Sequence, residues 1–422
     1  MKAVKRVVVV TPLPTPDPVR DQHGVYRRLR VFLRALGRVA ETVEVAHFAD
    51  MESSTPRLSD DGYSDYWGVK LRVVRLPLNC EPRQWLAAAS APIDICARRD
   101  FRPFAGPLQK RALQALMANE PDLVFAHRLP AMWALRDIRI DAPIVFDLDD
   151  IEHRVKLRAA RQAGATLGGA LNLVEVPALL RAEHLAVARA AITFLCSTQD
   201  REYLIGRGMA ARKLLVVPNA VDMPAFALPP TAAPTVLSLG HYGYEPNAAA
   251  ARELINAVWP IVRAKRPEAR LIVAGAASER VSPAGANLEG VEVTGVVADL
   301  EALYQRVRLV CCPIRVGGGT RIKLIEAAAF GRPIVATAVA LEGLDFEDGR
   351  DCLIGETPSE LAAACLNLIE DEVTACGLAR AARKKVFHRH DLNIVRDSVA
   401  AALLDVVAGA AAPVERQMEG QR

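Results

Sequence analysis

Short apolar runs alternate with helix-length amphipathic segments along almost the whole chain, and this alternation restricts the fold more than any other feature. Residues 6–11 and 235–240 are rich in Val and Leu, as strands of a buried parallel sheet are. A loop and an amphipathic helical segment follow each of them. Repeated strand–helix units of this kind form parallel sheets that are covered by helices on both faces.

A stretch rich in proline and alanine, residues 224–234, separates two sets of these strand–helix units. Such a composition is typical of a linker. We therefore predict an α/β fold with two facing, doubly wound, Rossmann-like domains, over residues 1–222 and 235–387, joined by a linker over 223–234. The cleft between the domains is the expected ligand site, and the tail at 411–422 is expected to be disordered.

Three consecutive glycines, residues 317–319, follow a short apolar strand and precede a helix that the sequence predicts from about residue 321 to 330. Glycine lets backbone N–H groups approach a ligand closely, and the unpaired N–H groups at a helix start favour an anion. Arg321 and Lys323 place two cations beside this loop, and Glu326 lies one turn further along. This order of groups would suit the phosphates and the ribose of a nucleoside diphosphate. A tight turn before a solvated Arg/Lys/Glu helix face would produce the same pattern.

An acidic cluster directly follows the strand predicted at residues 144–147. It contains Asp147, Asp149, Asp150, Glu152 and His153. Ligands of open α/β sheets bind outside the carboxyl ends of the strands, so this placement favours a polar loop that faces a cleft. Carboxylates also suit Mg²⁺, but we rank a metal site below the cleft-facing loop, because an aspartate before a helix, here Asp150, is also a common N-cap.

A helix predicted at about residues 25–39 carries four arginines that recur as a ridge. They are Arg27, Arg30, Arg34 and Arg38. A basic ridge of this kind is most often a solvated helix face. It would also suit anionic lipid head groups or a phosphate-bearing acceptor, so we keep peripheral contact with an anionic membrane as a hypothesis.

Charge and cysteine content exclude several other classes. The net charge of +4 is too small to favour nucleic acid as a partner of the whole chain. The eight cysteines include no C-x-x-C pair and no His/Cys cluster with zinc spacing, which indicates thiols in a reducing compartment. The apolar run at residues 7–10 is too short for a signal peptide, and no run approaches the ~18 residues of a membrane span. We expect a cytoplasmic protein, at most peripheral at the inner face of the membrane.

Short motifs occur along the second half of the chain in an order that is found in one family. They are Val-Pro-Asn-Ala-Val-Asp at 217–222, Gly240 with Pro246-Asn247, Val-Ala-Gly at 273–275, Val-Thr-Gly at 293–295, Gly-Gly-Gly-Thr-Arg-Ile-Lys-Leu-Ile-Glu-Ala at 317–327, and Pro-Ile-Val-Ala-Thr at 333–337 with Glu342-Gly343. Together they closely resemble the C-terminal half of GT-B glycosyltransferases of family 4. The resemblance is strong over about residues 214–344, and in the N-terminal half it is only architectural.

The resemblance implies a retaining transfer of a sugar from a nucleotide-diphosphate sugar to an acceptor hydroxyl. The donor would bind the C-terminal domain, and a saccharide or lipid-linked acceptor would bind the N-terminal one. Exopolysaccharide, lipid-linked oligosaccharide or other glycoconjugate assembly is the expected context. No metal or other cofactor is expected, because amides, arginine and lysine would bind the diphosphate. The last helix, from about residue 388, would pack back on the first domain.

The resemblance also implies roles for individual residues. Glu326 matches the glutamate that binds ribose, whereas Arg321, Lys323 and the amides of the glycine loop would hold the diphosphate and stabilise the charge that develops on it. The predicted donor-binding residues are Gly240, Asn247, Gly317, Gly318, Gly319, Thr320, Arg321, Lys323 and Glu326. The predicted catalytic residues are Arg321 and Lys323, with Asp149 and His153 as candidates for orienting the acceptor. The predicted acceptor-side residues are His23, Gly24 and Asp150.

Two departures from the family pattern concern the donor. Gly318 occupies the position, eight residues before Glu326, where the family usually carries another glutamate near the sugar. The basic pair that often follows the first strand of the second domain is absent, and His241 and Asn247 lie in that region instead.

Three other functions are left open. A GT-B nucleotide-sugar epimerase would share the fold and the cleft. A non-catalytic scaffold that binds a nucleotide or a partner protein would be compatible with the glycine at position 318. A dinucleotide oxidoreductase is disfavoured, because no G-x-G-x-x-G turn follows the first strand.

Overall fold

The computed structural model describes residues 4–14, 24–49, 59–78, 101–225, 229–281 and 289–409. The chain divides into two compact units. The first contains the described parts of Met1–Pro16, Arg28–Val217 and Arg396–Arg422, and the second those of Asp17–Arg27 and Pro218–Val395. His23 and the predicted tail at 411–422 lie outside the described residues.

The described part of the first unit contains a parallel sheet of seven strands. They are β1 (Val4–Thr11), β2 (Ala40–Ala49), β3 (Arg72–Pro77), β4 (Leu123–His127), β5 (Ile144–Leu148), β6 (Ile192–Leu195) and β7 (Leu214–Val216). Their order across the sheet is β3-β2-β1-β4-β5-β6-β7. The central strands β4 and β5 are buried at every residue, as their continuous apolar runs predict.

Helices pack on both faces of this sheet. They are α1 (Gly24–Val39), whose residues up to Arg27 are grouped with the second unit, α2 (Asp60–Trp67), α3 (Pro107–Met117), α4 (Arg128–Ala134), α5 (Glu152–Ala163), α6 (Leu167–Arg189) and α7 (Thr198–Ile205). On one face, the ring of Phe32 in α1 lies 4.9 Å from Phe125 and 5.4 Å from Phe194. On the other face, Leu113 of α3 and Leu179 of α6 join a separate apolar core.

The described part of the second unit contains a parallel sheet of six strands. They are β8 (Thr235–Leu239), β9 (Arg270–Ala274), β10 (Val291–Gly295), β11 (Leu309–Cys312), β12 (Ile334–Ala336) and β13 (Leu353–Ile354), in the order β10-β9-β8-β11-β12-β13. Its helices are α8 (Glu245–Glu253) and α9 (Trp259–Lys265), joined by a π turn at Leu254–Val258, then α10 (Leu300–Gln305), α11 (Ile322–Ala329), α12 (Pro358–Glu370), α13 (Glu372–His390) and α14 (Leu392–Val407), which from Arg396 onward is grouped with the first unit.

Each sheet has one point at which the direction of winding reverses. In the first sheet the chain moves from β1 outward to β3 and then returns to place β4 beside β1. In the second sheet β11 returns in the same way to the side of β8. Ligands of such sheets bind at these points, outside the carboxyl ends of the strands. The predicted α/β class with two Rossmann-like parallel sheets is confirmed.

A helix lies in a stretch of the chain whose polar sequence is typical of a loop. Residues 60–67 form α2 (Asp60–Trp67). The Ser59 side chain accepts a hydrogen bond from the Gly62 N–H and caps the helix, and Tyr63 and Trp67, one turn apart, are buried. With only two buried residues, the helix has too little apolar periodicity to stand out from the polar sequence around it.

Candidate active site

The glycine loop connects β11 to α11 at the winding reversal of the second sheet. Gly317 and Gly319 have positive φ angles of 141° and 62°, which only glycine adopts readily. A Cβ at Gly317 would also lie 2.8 Å from Nη2 of Arg321. The helix begins at Ile322, and its N-cap residue makes no side-chain capping bond, so its first N–H groups point toward the loop without a cap.

Arg321 folds back over this loop. Its Nη1 donates to the carbonyl oxygen of Gly319 at 2.7 Å and also to that of Gly318. Its Nη2 is buried and has no hydrogen-bond partner among the described residues. A buried donor without a partner costs roughly 1–3 kcal/mol, so the loop presents a fixed positive donor that an anion would satisfy.

Lys323 lies beside the first strand of the same sheet. Its Nζ donates to Oδ1 of Asn247 at 2.7 Å, and Nδ2 of Asn247 donates to the His241 carbonyl oxygen at 2.9 Å. A Cβ at Gly240 would lie 3.0 Å from Nζ, so the glycine allows this close approach. Burial lowers the pKa of Lys323, and the neighbouring Arg321 adds to this effect. The loop after β8 and the helices α8 and α11 thus bring together three of the predicted donor residues, Gly240, Asn247 and Lys323.

The side chain of Thr320 is hydrogen-bonded to Asn219, a residue for which no role was predicted from the sequence. Nδ2 of Asn219 donates to Oγ1 of Thr320 at 2.6 Å, and both residues are buried. The Asn219 carbonyl oxygen lies 2.6 Å from Nδ1 of His390. Asn219 belongs to the Val-Pro-Asn motif at 217–219, and this bond supplies a physical reason for an asparagine there, because its amide braces the end of the glycine loop.

Glu326 is buried in α11 and forms an ion pair with Nη1 of Arg27. Although burial disfavours the charge of Arg27, the Glu326 carboxylate raises the pKa of the guanidinium. Gly24, predicted on the acceptor side, is close to the start of the same helix, since a Cβ there would lie 3.3 Å from Cδ1 of Ile322. The sequence did not predict the ion pair, because nothing local links two residues so far apart in the chain.

A row of polar side chains lies at the winding reversal of the first sheet. Oγ1 of Thr11 lies 2.9 Å from Nδ1 of His127, on the neighbouring strand β4. Nε2 of His127 is buried, has no hydrogen-bond partner among the described residues, and lies 3.8 Å from Oδ2 of Asp147. Burial lowers the pKa of His127 to about 3, so the ring is neutral near pH 7. His127 was not among the residues predicted from the sequence, although a histidine that ends a buried strand is a visible signal.

Asp147 was predicted to lie in a polar loop that faces a cleft, but it is a buried partner of Arg28. Nε of Arg28 lies 3.0 Å from both carboxylate oxygens, and Nη2 donates to Oδ1 at 2.6 Å. Burial raises the pKa of Asp147 to about 6, against the opposing effect of Arg28. The pair fixes the start of α1 over β5, because removing either partner would leave a buried charge.

Asp149 and Asp150 surround Arg128, which directly follows β4 with a positive φ of 69°. Nε of Arg128 donates to Oδ1 of Asp149 at 2.9 Å, and Nη2 lies 3.7 Å from Oδ2 of Asp150. Although burial opposes it, Arg128 lowers the pKa of Asp149, and burial raises that of Glu152 to about 7.

The N-cap of α5 is Ile151, without a side-chain bond, so the interpretation of Asp150 as a helix cap is wrong. No group of three or more His, Cys, Asp or Glu in the described ranges is arranged to hold a metal ion.

His153 lies inside the helical layer of the first unit. It is fully buried, its Nδ1 is paired with Glu183 on α6, and its Nε2 lies 3.0 Å from the Tyr203 hydroxyl. Both ring nitrogens therefore have partners within the unit. In contrast to the predicted catalytic role, the structure gives His153 a role in helix packing.

Each arginine of the predicted basic ridge binds a group of this chain. Nη2 of Arg30 donates to the Tyr66 carbonyl oxygen at 2.9 Å, and Nε of Arg34 donates to that of Trp67 at 3.3 Å, so both complete the carboxyl end of α2. Nη1 of Arg38 lies 2.8 Å from Oδ1 of Asp397, and Arg27 is paired with Glu326. These partners weaken the case for a membrane contact through α1. Among the described helices, none combines the length and the apolarity that a membrane span needs.

The two parallel-sheet units, with glycine-rich and charged loops at their winding reversals, define a protein of the GT-B class. A model described as "Glycosyl transferase 4-like domain" matches residues 5–220, which is more than half of the chain, and one described as "Glycosyl transferases group 1" matches residues 233–371. The chain belongs to the glycosyl transferase 4-like family, and it is a glycosyltransferase.

Solved structures of low sequence identity share this fold. HepE from Anabaena, in complex with UDP and glucose, is 17% identical, with 95% of this chain and 99% of that chain covered and a TM-score of 0.67. Sucrose-phosphate synthase from Thermosynechococcus elongatus is 16% identical, with 96% and 100% covered and a TM-score of 0.68. A TarM variant from S. aureus, in complex with fondaparinux, alpha-GlcNAc-glycerol and UDP, is 10% identical, with 96% and 99% covered and a TM-score of 0.69. No curated protein sequence matches this chain.

Proposed function

We propose that the protein transfers a sugar, with retention, from a nucleotide-diphosphate sugar to an acceptor hydroxyl. The buried, unpartnered Nη2 of Arg321 beside the glycine loop carries this proposal, because it is a cationic donor suited to a phosphate oxygen. HepE and TarM were solved with UDP, which makes uridine nucleotides the first ones to test. Glycoconjugate assembly, as in exopolysaccharide or lipid-linked oligosaccharide synthesis, is the proposed setting.

The chemistry rests on charge at the leaving group. When the bond between the anomeric carbon and the diphosphate oxygen breaks, negative charge develops on the diphosphate. The guanidinium of Arg321, the ammonium of Lys323 and the N–H groups at the start of α11 would stabilise that charge. Since these groups are cationic or fixed dipoles, we propose that transfer needs no metal ion, and activity should persist after treatment with a chelator.

Glu326 would orient the nucleoside. Its carboxylate lies one turn into α11 from the glycine loop, and Arg27 holds Oε1. A carboxylate can accept several hydrogen bonds at once, so a ribose hydroxyl can bind while the ion pair keeps the side chain in one orientation.

We propose that the acceptor binds at the carboxyl edge of the first sheet. There His127 has an unpartnered Nε2, and Asp149 is held by Arg128. An ionised Asp149 next to a neutral His127 offers hydrogen-bond acceptors and a donor to sugar hydroxyls. A saccharide or a lipid-linked saccharide suits this set of groups.

The experiment that tests the proposal is a thermal-shift panel of nucleoside diphosphates with wild type, Arg321→Ala and Glu326→Ala. A ligand present at ~100 times its dissociation constant adds about 2.7 kcal/mol of stability. We expect one nucleotide to stabilise wild type and both variants to lose most of that shift. Arg315→Ala and Glu253→Ala are matched controls, because Arg315 follows the same strand but its Nη2 lies 2.6 Å from Oε1 of Glu253. Both controls should keep the shift.

Product analysis with the nucleotide sugar then separates the remaining functions. Transfer to an acceptor with retained anomeric configuration supports the proposal. Conversion of the nucleotide sugar without an acceptor would instead identify an epimerase. If no nucleotide stabilises wild type at millimolar concentration, the proposal fails and a scaffold role takes its place.

A further inference from the structure

A half-exposed tyrosine of the loop after β8 lies beside the glycine loop of the second unit. Tyr244 is 49% exposed, yet its hydroxyl reaches the glycine loop, because a Cβ at Gly317 would lie 3.5 Å from that oxygen. The same Cβ would lie 2.8 Å from Nη2 of Arg321. The Tyr244 hydroxyl and the Arg321 guanidinium therefore flank one point of the loop. An exposed aromatic ring whose polar end lies at a candidate site is typical of a side chain that contacts a ligand.

The backbone of Tyr244 is fixed, although its side chain is exposed. Its N–H donates to the His241 carbonyl oxygen at 3.2 Å, and its own carbonyl oxygen accepts a hydrogen bond from the Asn247 N–H at 3.0 Å. The neighbouring Tyr242 anchors the same loop to β8, since its hydroxyl donates to the Ser238 carbonyl oxygen at 2.9 Å. The loop after β8 therefore presents Tyr244 in a defined position, as a pre-organised binding group requires.

The order of groups along the site assigns Tyr244 to the sugar end of the donor. Glu326, proposed to orient the ribose, lies one turn into α11, and Arg321, proposed to hold the diphosphate, directly precedes that helix. A donor bound in this order extends past the helix start toward Gly317 with its remaining part, the sugar. Because glycines have no side chains, hydrogen bonds to the sugar must come from the loop backbone or from neighbouring segments, and the Tyr244 hydroxyl supplies such a group.

We propose that Tyr244 is a specificity-determining residue of the donor site, whose hydroxyl forms a hydrogen bond with a hydroxyl group of the donor sugar. This inference rests on the proposed function, because it needs a nucleotide sugar at the glycine loop. A phenolic hydroxyl both donates and accepts hydrogen bonds, so it can bind a sugar hydroxyl and keep a contact within its own loop. Sites that hydrogen-bond a substrate hydroxyl discriminate against substrates that lack it. Tyr244 therefore selects among nucleotide sugars and contributes little to binding of the diphosphate alone.

Paired binding measurements test this role. The dissociation constants of UDP and UDP-glucose, or of the diphosphate that the thermal-shift panel selects and its glucose ester, are measured by calorimetry for wild type and Tyr244→Phe. We expect Tyr244→Phe to weaken binding of the nucleotide sugar by about five- to tenfold, because one hydrogen bond to the sugar is lost. Binding of the diphosphate should change by less than about twofold, because that hydrogen bond is absent from its complex.

Monodeoxy forms of the sugar make the test specific for a hydroxyl. One of these nucleotide sugars should bind wild type about five- to tenfold more weakly than the parent compound. Tyr244→Phe should bind the two equally, because the partner of the missing hydroxyl is already absent. A purely structural role of Tyr244 would not produce this coupling.

Tyr242→Phe is the matched control, because it removes a hydroxyl from the same loop at a buried position. It should lower the melting temperature and leave the ratio of the two dissociation constants as in wild type. The inference is overturned, and the proposed function is kept, if Tyr244→Phe weakens the diphosphate and the nucleotide sugar equally or leaves both unchanged. If wild type binds no diphosphate and no nucleotide sugar, the proposed function fails together with this inference.

Discussion

Gly317 has the strongest control over the geometry of the proposed diphosphate site. Its φ of 141° is unfavourable for other residues, and its missing Cβ leaves the space that Nη2 of Arg321 occupies. The neighbouring Gly318 does not have a positive φ. The two glycines therefore have separable roles, although the sequence presents them as equivalent.

Gly317→Ala is expected to destabilise the second unit by about 1–3 kcal/mol through backbone strain and to displace the Arg321 guanidinium. The nucleotide thermal shift should then fall sharply. Gly318→Ala is the comparison: because this residue has no positive φ, the melting temperature should stay close to that of wild type, and the nucleotide thermal shift should fall less than in Gly317→Ala. Equal behaviour of the two variants in the same assay would contradict the assigned roles.

His47 makes stability depend on pH. It is fully buried, and its Nδ1 lies 3.0 Å from the Leu13 carbonyl oxygen, while burial lowers its pKa to about 4. In the unfolded chain a histidine binds a proton near pH 6.5, so stability is lost as the pH falls from about 6.5 toward 4.

For His47 alone, this loss amounts to about 2 kcal/mol between about pH 6.5 and pH 5. His47→Gln should reduce the slope of that part of the stability curve, measured by urea unfolding at several pH values; a slope remains, because burial also lowers the pKa of His127. His388→Gln, at an exposed position of α13, should retain the wild-type slope. A His47→Gln curve as steep as wild type would rule out this origin of the acid sensitivity.

At the scale of elements, the close contact between the ends of β8 and β9 shapes the loop that contains Gly240. The Gly240 N–H donates to the Ala274 carbonyl oxygen at 3.0 Å, and a Cβ at Gly275 would lie 1.9 Å from the Gly240 carbonyl oxygen. No rotation of a side chain can relieve this overlap, because the oxygen belongs to the backbone and the backbone fixes the position of the Cβ.

Gly275→Ala should therefore destabilise the protein by about 3 kcal/mol or more, the sum of overpacking and an unfavourable positive φ. Gly349→Ala is the control: its φ of 71° is also positive, but a Cβ there would meet nothing within 4 Å. We expect it to cost only about 1–2 kcal/mol in urea unfolding. Similar losses of unfolding free energy in both variants would mean that the contact between the ends of β8 and β9 does not account for the effect of Gly275→Ala.

The elements that could be predicted are those with a long or unbroken pattern. The helix expected at residues 25–39 is α1 (Gly24–Val39), and the one expected from Arg321 begins at Ile322. The helices missed, α2 and α4, have eight and seven residues, too few for apolar periodicity to be clear. In the same way, the glycine loop was visible as a motif, but the pairs Arg27–Glu326 and Arg28–Asp147 join distant parts of the chain and have no local signal.

At the scale of the whole molecule, the family assignment covers both units, but the proposed donor groups belong to the second. Binding of the nucleotide selected by the thermal-shift panel should slow hydrogen exchange in the loops after β8 and β11 and leave the loops after β1 and β4 little changed. Hydrogen exchange with mass spectrometry measures this, and Glu326→Ala should lose the protection. Protection confined to the first unit would mean that the nucleotide binds there and not at the glycine loop of the second unit.

The guanidinium of Arg321 is already fixed by two carbonyl oxygens of its own loop. An arginine that becomes immobile only on binding loses about 0.5–1.5 kcal/mol of conformational entropy at that moment, whereas this one loses it when the chain folds. Binding of the nucleotide sugar therefore does not require the Arg321 side chain to become ordered first. Nucleotides that differ in affinity should then differ more in their dissociation rate constants than in their association rate constants.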